Sequence, residues 1–188
     1  QNWHYRNQIN RPSSITVNKL LRAIDNRTSC ICYFGGDPTP QLPFSIEFSK
    51  RAIEARKDKI LRICWETNGS MHPKLLEKLM ELAFSTGGCV KFDLKAFDER
   101  LNLALCEVTN KRTLENFALA SKYINIRKDP PILIASTLLV PGYIDKKEVF
   151  NIAKFIAGLD RSIPYSLLGF APNFYMSDLP CTSRRHAQ

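Results

Sequence analysis

A repeat limits the fold of this chain more than any other feature. Short apolar runs at residues 29–34, 61–65, 89–94, 132–140 and 165–170 alternate with longer stretches whose apolar residues recur at helical spacing. In 44–59 these are Phe44, Phe48, Ala52 and Ala55; after Pro73 they are Leu75, Leu76, Leu79, Met80 and Ala83. In 113–125 Leu114, Phe117, Ala118 and Ser121 fall on one side, and in 145–159 the inward residues are Val149, Ile152, Ala153 and Ile156. Apolar strands that alternate with amphipathic helices require parallel pairing, because each helix carries the chain back across the sheet. The expected class is α/β, and an open sheet and a barrel both satisfy the pattern. A short helix is expected over 17–24, a loop over the polar stretch 1–14, and the start of a helix over 182–188.

The 188 residues suit one domain, 1–188, able to bury a core without disulfide or metal staples. No apolar stretch approaches the roughly 20 residues of a membrane span, so no membrane partner is expected. Lys and Arg number 27 against 18 Asp and Glu, a net charge of +9, but no like-charge run reaches five residues. The charges read as solvated helix faces, with a functional basic patch as the alternative. Of the six cysteines, Cys30, Cys32, Cys64 and Cys89 fall in the apolar strand-like runs and read as small core hydrophobes of a reducing, cytoplasmic protein. His4, His72 and His186 share no metal-ligand spacing and are expected at the surface.

In parallel α/β folds ligands meet the loops at the carboxyl ends of the strands. The unusual polar residues gather there. Gly35-Gly36-Asp37-Pro38-Thr39 follows the first run, and Glu66-Thr67-Asn68-Gly69 the second. Asp93 and Lys95 close the third, and Val140-Pro141-Gly142-Tyr143 the fourth. Each has a plain reading as a turn or a structural ion pair. Together on one rim they fit an amino acid joined to a nucleoside. The glycines admit a ligand to backbone N–H groups, Asp37 suits an ammonium group, Lys95 a carboxylate and Glu66 a ribose diol.

These segments, with Asn110–Leu114, Leu139–Gly142 and Ile163–Phe170, resemble the radical S-adenosylmethionine enzymes, in particular the pyruvate formate-lyase activating enzyme branch. The resemblance implies a partial (β/α)6 barrel, S-adenosylmethionine and a 4Fe–4S cluster, an electron donor, and a protein substrate that is a glycyl radical enzyme. Nucleic acid is not an expected partner under it; a cluster-free module that binds a nucleoside or nucleic acid is the alternative. Carried over by position, Gly35, Gly36 and Asp37 would meet the methionine amino group, and Glu66 and Asn68 the ribose or substrate. Asp93 and Lys95 would approach the methionine carboxylate, and the Leu138 backbone the adenine. The family's cluster motif, C-x3-C-x2-C, does not occur in this sequence. Cys30-x-Cys32 is not expected to replace it, the two thiols being read as pointing to opposite faces of a strand. By comparison with the family, Gln1-Asn2-Trp3 reads as starting one residue after the cluster loop, with the first strand missing. Three positions depart from the activating enzymes: Asp37 for Glu, Ser136 for Arg and Ala171 for His.

Overall fold

Each apolar run becomes a strand of one parallel sheet in the computed structural model, which describes residues 14–188. The strands are β1 (Cys30–Tyr33), β2 (Arg62–Thr67), β3 (Val90–Asp93), β4 (Leu133–Leu139) and β5 (Tyr165–Gly169). They pair in sequence order, every neighbour parallel, with Cys32 opposite Cys64, Trp65 opposite Val90, Asp93 opposite Ser136 and Leu138 opposite Leu168. The helices are α1 (Val17–Ala23), α2 (Leu42–Ala55), α3 (Pro73–Ser85), α4 (Glu99–Cys106), α5 (Lys111–Ser121), α6 (Lys146–Leu159) and α7 (Arg184–Ala187). This is the expected α/β architecture. Except for Ser14, the loop expected over 1–14 lies outside the described residues.

Strand alternation divides the side chains into two faces. On one, Ile63, Trp65, Val90, Phe92, Leu133 and Ala135 are fully buried. They pack against Leu42 and Ala52 of α2, Leu76, Leu79 and Met80 of α3, Phe117 and Ala120 of α5, and Ile152 and Ile156 of α6. Phe92 meets Phe117 edge-on at 5.3 Å between ring centres, and Tyr33 stacks on Trp65 at 5.2 Å. The other, inner face carries Cys32, Cys64, Glu66, Lys91 and Asp93, none of them fully buried. No helix among the described residues is long and apolar enough to cross a membrane.

The helix boundaries follow local chemistry. His72 and Asp98 accept N-cap hydrogen bonds from Lys74 N and Leu101 N, and Asp145 accepts one from Glu148 N. The helix expected over 44–59 begins earlier, through a 3-10 turn at Thr39–Gln41, and stops at Ala55. The one expected over 113–125 is α5 followed by a 3-10 turn, Lys122–Asn125. Helix α4 was not anticipated. It is short, and its apolar Leu101 and Leu105 pack against a second cluster formed by Ala96, Leu139, Val140, Ile144 and Phe170.

The cysteines correct the sequence reading. Cys30 and Cys32 are exposed, Cys64 and Cys89 half-buried, so none is a core hydrophobe. Nor do Cys30 and Cys32 diverge: residues two apart on a strand share a face, and both lie on the inner one. Of the histidines, His72 is exposed and His186 half-buried, its Nε2 2.7 Å from the Ile144 carbonyl oxygen; His4 lies outside the described residues.

Candidate functional site

At the carboxyl ends of β1, β2 and β3 the inner face opens into a cleft of about 490 Å³. Gly35, Gly36, Asp37, Glu66, Asn68, Asp93 and Lys95 all line it. Leu138 does not. It lies half-buried on the inner face of β4, opposite Leu168, which does line the cleft.

The loops are built from their own side chains. The Asp37 carboxylate ties the β1 loop to the β2 loop. Its Oδ1 accepts from Thr39 N at 2.9 Å, Thr39 Oγ1 at 2.7 Å and Thr67 Oγ1 at 3.0 Å, and its Oδ2 from Asn68 N at 3.3 Å. Asp37 is therefore first a brace between loops, with lone-pair capacity left on Oδ2 for an incoming donor. Gly69 has φ +73°, and a Cβ there would stand 2.3 Å from the Phe92 ring, so the turn after Asn68 admits no side chain. Helix α5 holds the same loop from behind. Thr113 Oγ1 donates to Asn68 O at 2.7 Å, and the buried Asn116 Nδ2 donates to Gly69 O and Met71 O at 2.7 and 2.8 Å. Asn110 Nδ2 does likewise for the loop after β3, donating to Ala96 O and Phe97 O.

Two ion pairs form the floor. Lys91 Nζ lies 2.7 Å from Glu66 Oε2, and Lys95 Nζ 2.9 Å from Asp93 Oδ2. Ser136 Oγ donates to Asp93 Oδ1 at 2.7 Å. Burial alone would raise the Asp93 carboxyl, but the Lys95 charge and hydrogen bond, the Ser136 hydroxyl and the Lys91 charge outweigh it and hold Asp93 below the usual carboxylate range. The floor thus carries ionised groups of both signs, each half-exposed and already paired. A zwitterionic ligand can exchange into such pairs without leaving a charge bare.

Sequence reasoning missed Lys91, Phe34 and Leu168, which complete the cleft with Thr67 of the rim segment. The signal for Lys91 was the alternation Lys91-x-Asp93-x-Lys95 in an otherwise apolar run, which places all three side chains on one face.

The family model of the radical SAM superfamily matches residues 1–156. The chain belongs to that superfamily. It is 30% identical over 158 residues to a Methanocaldococcus jannaschii protein named for glycyl-radical enzyme activation, a match covering 82% of this chain and 55% of the relative. An uncharacterised protein of the same organism is 28% identical over 131 residues, covering 68% of this chain and 42% of that protein. The chain therefore spans about half the length of these relatives. The crystal structure of a domain of pyruvate-formate lyase-activating enzyme from Bacteroides vulgatus shares the fold, with TM-score 0.64 and 20% identity over 84% of this chain and 88% of that one.

The superfamily implies S-adenosylmethionine and an iron–sulfur cluster. The cleft, with its glycine-lined loop and paired charges, suits the first. The second finds no ligand set in these residues. C-x3-C-x2-C is absent from the sequence, and among the described residues no group of three or more His, Cys, Asp or Glu side chains could hold a metal ion.

Proposed function

We propose that the cleft binds S-adenosylmethionine for a radical SAM enzyme of the activating-enzyme kind. Such an enzyme cleaves S-adenosylmethionine reductively to a 5′-deoxyadenosyl radical, which takes hydrogen from a substrate. A glycine of a partner protein is the substrate we favour, with a separate electron donor. In such an enzyme a 4Fe–4S cluster would supply the electron; the C-x3-C-x2-C motif that would hold it does not occur in this sequence. What these residues contribute is the cradle: Gly35 and Gly36 offer close backbone approach, Asp37 Oδ2 suits the ammonium group and Lys95 the carboxylate. Glu66 and Asn68 suit the ribose, with Lys91 holding Glu66 until the diol arrives. The hard chemistry belongs to the cofactors, and the protein's share is placement. The observation that carries this reading is the convergence of three strand-end loops and two opposite-sign ion pairs on one cleft.

Titration with S-adenosylmethionine, followed by backbone amide resonances, tests it. The amides of Gly35, Gly36 and Asn68 should shift. Lys95→Ala should weaken binding about tenfold, the usual loss for one charged hydrogen bond. Absence of shifts, or an equal effect from Lys57→Ala, would refute the reading. The net charge of +9 favours a second one, a nucleic-acid-binding module. Under it, oligonucleotide affinity would fall steeply with salt and Lys95→Ala would matter no more than other lysines.

A further inference from the structure

Below the cleft, toward the amino ends of the same strands, the inner face changes character. Cys30 and Cys32 on β1, Cys64 on β2 and Cys89 just before β3 form one layer of thiols. Free cysteines are ordinarily buried, yet two of these are exposed and two half-buried. We propose that Cys64 and Cys89 are a reactive dithiol pair, with Cys64 attacking a low-molecular-weight disulfide and Cys89 resolving the adduct into an intramolecular disulfide.

Geometry selects this pair. Trp65 and Val90 are partners across β2 and β3, and Trp65 N donates to Cys89 O at 3.0 Å. Cys64 and Cys89 immediately precede these residues. Adjacent strands lie about 4.8 Å apart, within the roughly 4.4–6.8 Å between Cα atoms that a disulfide spans. Cys30 Sγ is 3.7 Å from Cys64 Sγ, but Cys30 pairs with Arg62. It is two residues out of register with Cys64, which separates the Cα atoms by about 8 Å, too far to bridge. Cys32 lies in register with Cys64 on the other side. Cys89 is favoured because its backbone N–H points at the Cys64 sulfur, 3.4 Å away.

The same contacts order the chemistry. Hydrogen bonds from the Cys89 thiol and N–H and from the Cys30 thiol, with the Arg62 charge, outweigh burial and bring the Cys64 thiol down to about 6. The Cys89 thiol, by donating to Cys64 and being half-buried, is pushed up and keeps its proton. Cys64 thiolate attacks one sulfur of RS–SR, forms the mixed disulfide and releases RS⁻. That step removes the negative charge holding the Cys89 proton. Cys89 then loses it to solvent, and its sulfur attacks Cys64 and expels the second RS⁻. The protein is oxidised by two electrons and RS–SR is reduced to two thiols.

The test is incubation of the reduced chain with oxidised glutathione, quenching with N-ethylmaleimide and peptide mapping. The expected product is lighter by two hydrogens, carries no glutathione and links Cys64 to Cys89. Cys89→Ser should trap glutathione on Cys64, Cys64→Ser should leave Cys89 unmodified, and Cys181→Ser should change nothing at the pair. In the wild type, iodoacetamide should label Cys64 about two- to threefold faster than an ordinary thiol at neutral pH, the gain in thiolate being largely offset by its lower nucleophilicity. A stable glutathione adduct in the wild type, a link from Cys64 to Cys32, or an unreactive Cys64 would each overturn the proposal. The wild-type map decides even where a variant fails to fold.

Discussion

The two faces of the sheet are made by alternate residues of the same strands, and they are opposites. Ile63, Trp65 and Thr67 are buried on one side of β2, while Cys64 and Glu66 stand half-exposed on the other. On β3, Val90 and Phe92 are fully buried beside the half-exposed Lys91 and Asp93. One face holds the fold together and the other carries the chemistry. The division explains how a short strand can hold a charged cleft without forfeiting its core: apolar contact stabilises through one set of side chains and leaves the second set free.

The sharpest way to break the contrast is to cut each face in turn. Trp65→Ala should destabilise the chain by about 3–5 kcal/mol, the usual cost of emptying a buried aromatic site. Lys91→Ala, one strand away on the other face, should cost about 1 kcal/mol or less, as half-exposed ion pairs do. Urea unfolding of both variants measures the difference, and equal losses would erase the distinction.

A middle effect is expected where the core face supports the chemical one. Asn116→Ala removes donors from the buried carbonyls of Gly69 and Met71, which should cost about 2 kcal/mol. It should also loosen the Asn68 loop, read as line broadening at the Asn68 and Gly69 amides. Unchanged loop resonances would mean that α5 packs against the loop without setting it.

The smallest effect concerns pH. Asp93 is held below its ordinary value of 3.8 in the folded chain, so its contribution is full above that value and disappears as pH falls through the lower, folded one. The stability difference between wild type and Asp93→Asn should therefore narrow on acidification and reverse nothing at neutral pH. A difference independent of pH would place the stabilisation in the Ser136 hydrogen bond and not in the charge.

The strand–helix alternation was legible because each element has its own period, two or 3.6, and the runs are bounded by glycine and proline. The rim residues were legible because parallel topology puts every strand's carboxyl end on one side. What escaped was local or cross-strand. Helix α4 rests on the Asp98 cap and two leucines, too little periodicity to stand out. The role of Asp37 as a brace depends on Thr67, thirty positions away in the chain and reached only when β1 and β2 pair. The cysteines misled because a thiol in an apolar run reads as core whichever side of the pleat it occupies. Their neighbours Ile31, Ile63 and Trp65 supplied the apolar signal, and the alternation assigned the thiols to the other face.

Strand order equal to sequence order has a consequence for how the molecule is made. Each strand after β1 pairs with one that the ribosome has already released, so the sheet can lengthen at a single advancing edge as synthesis proceeds. No crossover skips a strand, and the longest, from β3 to β4, carries both α4 and α5. The loops that later line the cleft are therefore completed in order, the β1 loop first, with its brace to Thr67 available as soon as the second strand docks.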